Sequence, residues 1–262
     1  MKTFRGDFEM FKDKLIKGEN FAFLRFSDGE FFILQNRRLE LNENNHIIGN
    51  VVGGGWYNKE EQKKFDPNEH QFYRQKLIDS LKFKKHNYYK GICCRCCVVK
   101  EEDFDFQVNL SGGDESDLTW ANLFINGNYE VYIKEMVPIF KDKKIIMIVN
   151  ESANISNLPF DVIKDFRVGT NCFINDYDLI EKVKNYISEN NIENHIFLIS
   201  AASLSNLLVH QLYDLTDKNT YMDIGSTLNP IMDMVGWKGS RSYLREYWLG
   251  ENKNILNKIC VW

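Results

Sequence analysis

Phe4, Phe8, Phe11 and Leu15 recur at steps of four, three and four, the spacing that lines up side chains on one helix face. Gly18 follows where a left-handed residue closes a helix. FAFLRF (21–26) has strand composition, and SDGE (27–30) supplies a turn and a helix start, with Ser27 or Asp28 as N-cap before FFILQ. HIIGNVVGGGWY (46–57) predicts a short strand and a glycine-rich loop, and Asn68 to Phe83 an amphipathic helix. A strand is expected through GICCRCCVV (91–99). After the loop SGGDES (111–116), Leu118 to Phe140 reads as helical with an interruption near Gly127.

From Lys144 the rhythm becomes regular. Strand-like IIMIV, DFRVG, HIFLIS and TYMDIG alternate with helices expected near SNLPFDVI, over DYDLIEKVKNYISEN and over SLSNLLVHQLYDL. Short apolar strands alternating with helices predict an α/β fold: a Rossmann-like, mostly parallel sheet flanked by helices, with ligands beyond the carboxyl ends of the strands. Residues 1–262 are read as a single domain, in which about 144–235 form the regular βα part. The residues following the strands are small or polar: Asn150 and Glu151, Thr170 and Asn171, Ser200 to Ser203, Gly225 and Ser226.

Composition narrows the ligands. A chain of 262 residues that is 44% hydrophobic can bury a large core, and a net charge of −4 gives no general attraction to nucleic acid. No run approaches the roughly 18 apolar residues of a spanning helix, and the N-terminus has no signal-like apolar core, so a cytoplasmic protein is expected. Lys-rich KFKKH and the aromatic SYLREYW are compatible with peripheral contact to a lipid-linked acceptor, though solvated helix faces explain them more simply. Homo-oligomerisation is left open.

Several motifs are weaker than they look. Gly53, Gly54 and Gly55 do not have GxGxxG spacing and no GxxxxGK[ST] occurs, so the loop is either plain or a place for Trp56 and Tyr57 to meet substrate. Cys93, Cys94, Cys96 and Cys97 are adjacent pairs rather than C-x₂₋₄-C, and read as small buried side chains in a reduced protein. The five histidines form no HExxH pair, and GxSxG is absent.

What stands out is FLRFSDGEFF (23–32), where Arg25, Asp28 and Glu30 interrupt an apolar run at a strand-to-helix junction. Unpaired buried charges cost several kcal/mol, so the three either pair with one another or face a ligand. Asp28 and Glu30, one glycine apart at a turn, can converge on a hard cation such as Mn²⁺ or Mg²⁺, with Gly29 allowing close approach and Arg25 neutralising phosphate. A capping carboxylate with a structural Arg–Glu pair fits the same residues.

Arg25-Phe26-Ser27-Asp28-Gly29-Glu30 resembles the RFGDGE-type segment of the GT-D fold glycosyltransferases. Similar in order and spacing are the polar loop IVNESANISNLPFD, Asn171-Cys172-Phe173 before Tyr177-Asp178, the turn SAASLSNLLVH, and Asp223-Ile224-Gly225. Where that family often continues with His, this chain has Ser226, so no role of that histidine carries over, and the middle third matches least. The resemblance implies a metal-dependent transfer of a sugar from a nucleoside diphosphate donor, most plausibly a UDP-sugar, to a hydroxyl of a protein- or lipid-linked glycan acceptor. Asp28 and Glu30 would hold the metal; Arg25, Ser27, Gly29, Asn150, Glu151, Asn171, Ser200, Ser203, Gly225 and Ser226 would line the nucleotide sugar. If the anomeric centre inverts, a base is needed, and Asp223 is favoured over Asp114, Glu115 and Glu246 because it ends a central strand, where an Asp could equally serve the fold. The competing expectations are a Rossmann-like methyltransferase, suggested by Asp223-x-Gly225, and a non-catalytic sugar-nucleotide binder.

Overall fold

The structure, a computed structural model, describes residues 3–42, 46–53, 61–95 and 101–234. Helix α1 (Phe4–Lys17) forms where the four-three-four spacing placed it. Thr3 caps it by accepting from Gly6 N at 3.2 Å, Gly18 closes it at φ 72°, and Phe4, Phe8, Phe11 and Leu15 are buried. Strand β1 (Ala22–Phe26) runs straight into α2 (Asp28–Leu34), as the SDGE junction predicts.

After α2 the chain makes a small antiparallel sheet of β2 (Leu39–Leu41), β3 (His46–Ile48), β4 (Val51–Gly53) and β5 (Lys64–Phe65), in the order β4-β3-β2-β5. The short strand expected at the start of 46–57 is therefore one arm of a tight hairpin. It turns at Gly49, whose φ of 63° suits glycine. Gly54, Gly55, Trp56 and Tyr57 lie outside the described residues. Helix α3 (Gln71–Lys82) then leads to β6 (Tyr88–Ile92), α4 (Glu101–Leu110) and β7 (Leu118–Trp120).

Two expectations fail here. The cysteine strand ends at Ile92, and Cys93 and Cys94 follow it as buried thiols; Cys93 N is taken by Gln107 Oε1 at 3.0 Å, which removes it from any ladder. Leu118 to Trp120 is a strand, because it completes the sheet beside β6, and only from Asn126 does the chain coil. That coil passes through a 3₁₀ turn, the short α5 (Tyr129–Val131), a π turn (Tyr132–Met136) and a 3₁₀ segment (Val137–Asp142) opened by Pro138.

The regular half is as expected in order: β8 (Ile145–Asn150), β9 (Val162–Val168), α6 (Cys172–Asn175), α7 (Leu179–Glu189), β10 (Ile196–Ile199), α8 (Leu204–Leu215) and β11 (Thr220–Asp223). The helix expected near SNLPFDVI shrinks to one 3₁₀ turn at Ile155–Asn157. Pro159 stops it, and Val162 and Ile163 join β9 instead.

Seven strands make one sheet in the order β7-β6-β1-β11-β10-β8-β9, and every neighbouring pair is parallel. Strands from both halves of the chain interleave, since β1 pairs with β11 through Ala22↔Tyr221 and Phe23↔Met222. Alternation along the strands feeds two cores. Ala22, Leu24 and Phe26 face α3, α7 and α8 on one side, while Phe21 and Phe23 face α1 and the coiled segment at 123–140 on the other. Buried faces on both sides explain why β10 is continuously apolar, and β8 so up to its last residue, rather than alternating.

Candidate functional site

Because all seven strands are parallel, their carboxyl ends share one edge, and the chain delivers β1, β10 and β11 to the middle of it. Arg25 lies near the end of β1 and is 4% exposed. Its Nε donates to Ala121 O, just past β7, and its backbone carbonyl accepts from Asn206 Nδ2 of α8 at 2.8 Å. The guanidinium crosses to the end of β11, where a Cβ built on Gly225 would stand 1.9 Å from Nη1. Gly225 has φ 50°, so both backbone conformation and the approach of Arg25 exclude a side chain there.

Asp223 ends β11 at 5% exposure, and its Oδ1 accepts from Gly225 N at 2.9 Å. Burial pushes its carboxyl up to about 7, against the pull of the Arg25 charge and the amides of Gly225 and Arg25; the charge on Glu30 adds to the rise. An acid poised near neutrality at the carboxyl edge of the sheet is suited to proton transfer.

Glu30, third residue of α2, is the most heavily bonded carboxylate of the group. Its Oε2 accepts from Ser27 N at 3.2 Å and Ser27 Oγ at 2.9 Å, the reaching-back half of a capping box. Its Oε1 accepts from Lys63 Nζ at 2.9 Å and from Ser203 Oγ at the start of α8. Burial alone would raise Glu30, but the Lys63 charge and the hydrogen bonds of Ser203, Lys63 and Ser27 prevail and hold it near 2. Lys63 is raised in turn: burial disfavours its charge, and Glu30 and Glu61 restore it.

Lys63 comes from the small sheet. Its carbonyl accepts from Leu41 N at 2.8 Å, which joins it to β2, and the neighbouring backbone is fastened to the end of β9 by Asn171. Asn171, in the left-handed conformation at φ 49°, donates its N–H to Glu61 O at 2.7 Å and accepts from Lys64 N at 2.9 Å. Asn171 thus holds the Lys63 segment by its own N–H and by its side-chain Oδ1. Phe173 behind it is buried, and Tyr177 packs on Phe72 and Tyr73 with ring centroids 5.2 and 5.6 Å apart.

The structure therefore joins Arg25, Ser27, Gly29, Glu30, Asn171, Ser203, Asp223 and Gly225 into one connected group. Asp28 is exposed at the first turn of α2 and makes no hydrogen bond or ion pair among the described residues. Asn150 folds onto its own loop, accepting from Ser152 N and Oγ at 2.9 and 2.7 Å, and Glu151 is exposed beside it. Ser200 and Ser226 are half-buried at the same edge, after β10 and β11. Asp114 and Glu115 precede β7 and so lie at the amino edge, away from this group. Asp114 there pairs with Lys84 at 3.2 Å, and the hydrogen bonds from Ser116 and Lys84 hold it down at about 2. Glu246 lies outside the described residues, as do Cys96 and Cys97.

The arrangement bears on the expected Mn²⁺ or Mg²⁺. Among the described residues, no group of three or more His, Cys, Asp and Glu side chains is placed to hold an ion. Both oxygens of Glu30 are taken, and Lys63 Nζ would stand 2.6 Å from a Cβ on Gly29, against the residue that separates the two carboxylates. The donor set does not fit an open two-carboxylate metal site. A divalent ion could use Glu30 only by displacing Lys63, Ser203 or Ser27 from it.

Comparison with solved structures gives matches over nearly the whole chain. A glycosyltransferase (DUF1792) from Streptococcus sanguinis shares 13% identity at a TM-score of 0.51, over 94% of this chain and 85% of that one. A structure of domain of unknown function 1792, described as having a distinct glycosyltransferase fold, shares 13% at a TM-score of 0.53, over 91% and 79%. A selenomethionine-substituted structure of the same domain shares 12% at 0.51. No family model matches the sequence, and no curated protein matches it. The chain has the GT-D type of glycosyltransferase fold, as its motifs led one to expect. No helix among the described residues is long and apolar enough to cross a membrane.

Proposed function

We propose that this protein is a glycosyltransferase that moves a sugar from a nucleoside diphosphate donor, a UDP-sugar, to a hydroxyl of a glycan acceptor. The observation that carries the reading is Asp223, a buried carboxyl raised to about 7, set beside Arg25 at the carboxyl edge of a sheet whose fold is shared with glycosyltransferases. Ionised Asp223 takes the proton of the acceptor hydroxyl as that oxygen attacks the anomeric carbon from the face opposite the diphosphate. The bond from that carbon to the diphosphate oxygen breaks, and its electron pair leaves on the phosphate. Arg25, fixed by Ala121 and Asn206, holds a preorganised positive charge towards the departing group. The turns at Ser200–Ser203 and Gly225–Ser226 offer backbone amides and hydroxyls to the nucleotide.

The test is a panel of nucleotide sugars, scored first by thermal shift and then by UDP released in the presence of acceptor glycans. UDP-sugars should raise the melting temperature, and Asp223→Asn should keep that shift while losing at least about 10²-fold in turnover. Binding of S-adenosylmethionine with no response to any nucleotide would favour the methyltransferase reading. UDP binding without release from any donor would leave a non-catalytic binder.

A further inference from the structure

We propose that Lys63 is the resident cation of this site: its ammonium, bonded to Glu30 and set against Gly29, holds the place that a divalent ion on Glu30 would otherwise take, and donates directly to the diphosphate. The inference rests on the nucleotide-diphosphate reading above for its ligand, but not for the cation.

Three observations converge on it. Lys63 Nζ lies 2.9 Å from Glu30 Oε1 and 3.2 Å from Glu61 Oε1, with both Lys63 and Glu30 side chains under a tenth exposed. It stands against Gly29, the residue between Asp28 and Glu30 in sequence, where a Cβ would collide with it at 2.6 Å. An ammonium also has three donors. Two are used by Glu30 and Glu61, and the third has no partner among the described residues.

The electrostatics agree with the geometry. Glu30 and Glu61 bring two negative charges to this point, which an ion of charge +2 would balance and which Lys63 halves. A fixed ammonium is a weaker point charge than a divalent ion, but it needs no loading and no dehydration. It is held in register by Leu41 and Asn171, which grip the backbone on either side of it.

The experiment begins with the protein alone. Manganese is titrated against wild type, and bound ion is followed by loss of the free Mn²⁺ electron paramagnetic resonance signal. Wild type should take up no stoichiometric ion below about 1 mM, and Lys63→Met should gain one equivalent that is lost again in Lys63→Met with Glu30→Gln. Stoichiometric uptake by wild type that disappears in Asp28→Asn would overturn the proposal, as would a folded Lys63→Met that gains none. A second variant covers the case in which Lys63→Met does not fold. Lys63→Arg keeps the charge but moves the donor, and should weaken UDP about tenfold with EDTA present, the equivalent of one hydrogen bond to a charged group. Unchanged UDP affinity in Lys63→Arg would refute the direct contact. Should no nucleoside diphosphate bind with or without manganese, the donor reading fails, and the ion titration still decides whether Lys63 fills the cation position.

Discussion

Replacing Glu30 by Gln distinguishes a carboxylate held in a buried pair from one kept open for a ligand. Glutamine preserves shape and the acceptor towards Ser27, but leaves Lys63 buried with only the half-exposed Glu61 as counter-charge. Breaking one side of a buried pair costs about 3–5 kcal/mol, because the surviving charge stays desolvated. For a chain of this size that is about 6–10 °C in melting temperature. Adding Lys63→Met to the same chain removes the stranded charge, so the double variant should recover at least about half of the loss. Both melting temperatures are measured by calorimetry at pH 7 in EDTA, which separates the pair from any bound metal. A single variant that melts within about 1 °C of wild type, or a double variant that is simply the sum of the two singles, would refute the buried-pair argument.

Other expectations follow from neighbouring residues. Asp223, raised to about 7, must be ionised to accept a proton, so kcat/KM should climb between pH 6 and 8 and this limb should vanish in Asp223→Asn. The same shift has a sign for stability: protonation favours the folded state, so the contribution is complete below the ordinary carboxylate value and is lost as pH rises through about 7. Asp223→Asn should therefore compare better with wild type in melting temperature at pH 8 than at pH 5; the opposite order would contradict the burial assigned to it. Gly225→Ala places a methyl on Arg25 at a φ of 50° and should cost at least about 1 kcal/mol as well as weaken UDP, whereas an unchanged protein would show that Arg25 is not held there.

Much of the fold was legible because period and punctuation coincided. In α1 the apolar spacing, Thr3 and Gly18 all say the same thing, and in the second half each short apolar run is bounded by polar turns. The misread segments are those where tertiary context overruled local pattern. Leu118 to Trp120 is a three-residue strand that forms by pairing with β6, and Val162 and Ile163 joined a strand because Pro159 had ended the helix. At the site, the charge interruption in FLRFSDGEFF drew attention to Arg25 and Glu30, both of which the structure buries. It could not identify the partner of Glu30, because Lys63 lies 33 residues away in a stretch, KKFDP, that looks like any solvated basic run. A lysine beside a two-residue strand carries no periodic signal. Asn206 and Ala121 were missed for a related reason, since they act on Arg25 by an amide within an apolar helix and by a backbone carbonyl.

The small antiparallel sheet acquires a different meaning from its one long side chain. Its own strands are two or three residues long, too short to be stable unaided, yet Lys63 on its last strand approach is the counter-charge of a carboxylate rooted in the main sheet. Lifting the sheet away would leave Glu30 without that ammonium and would also release Asn171 from Glu61 and Lys64. The sheet behaves as a latch whose bolt is an ammonium group. Amides of residues 39–41 and 64–65 should then exchange with solvent in step with Asn171, as one cooperative unit, rather than fraying as an ornamental hairpin.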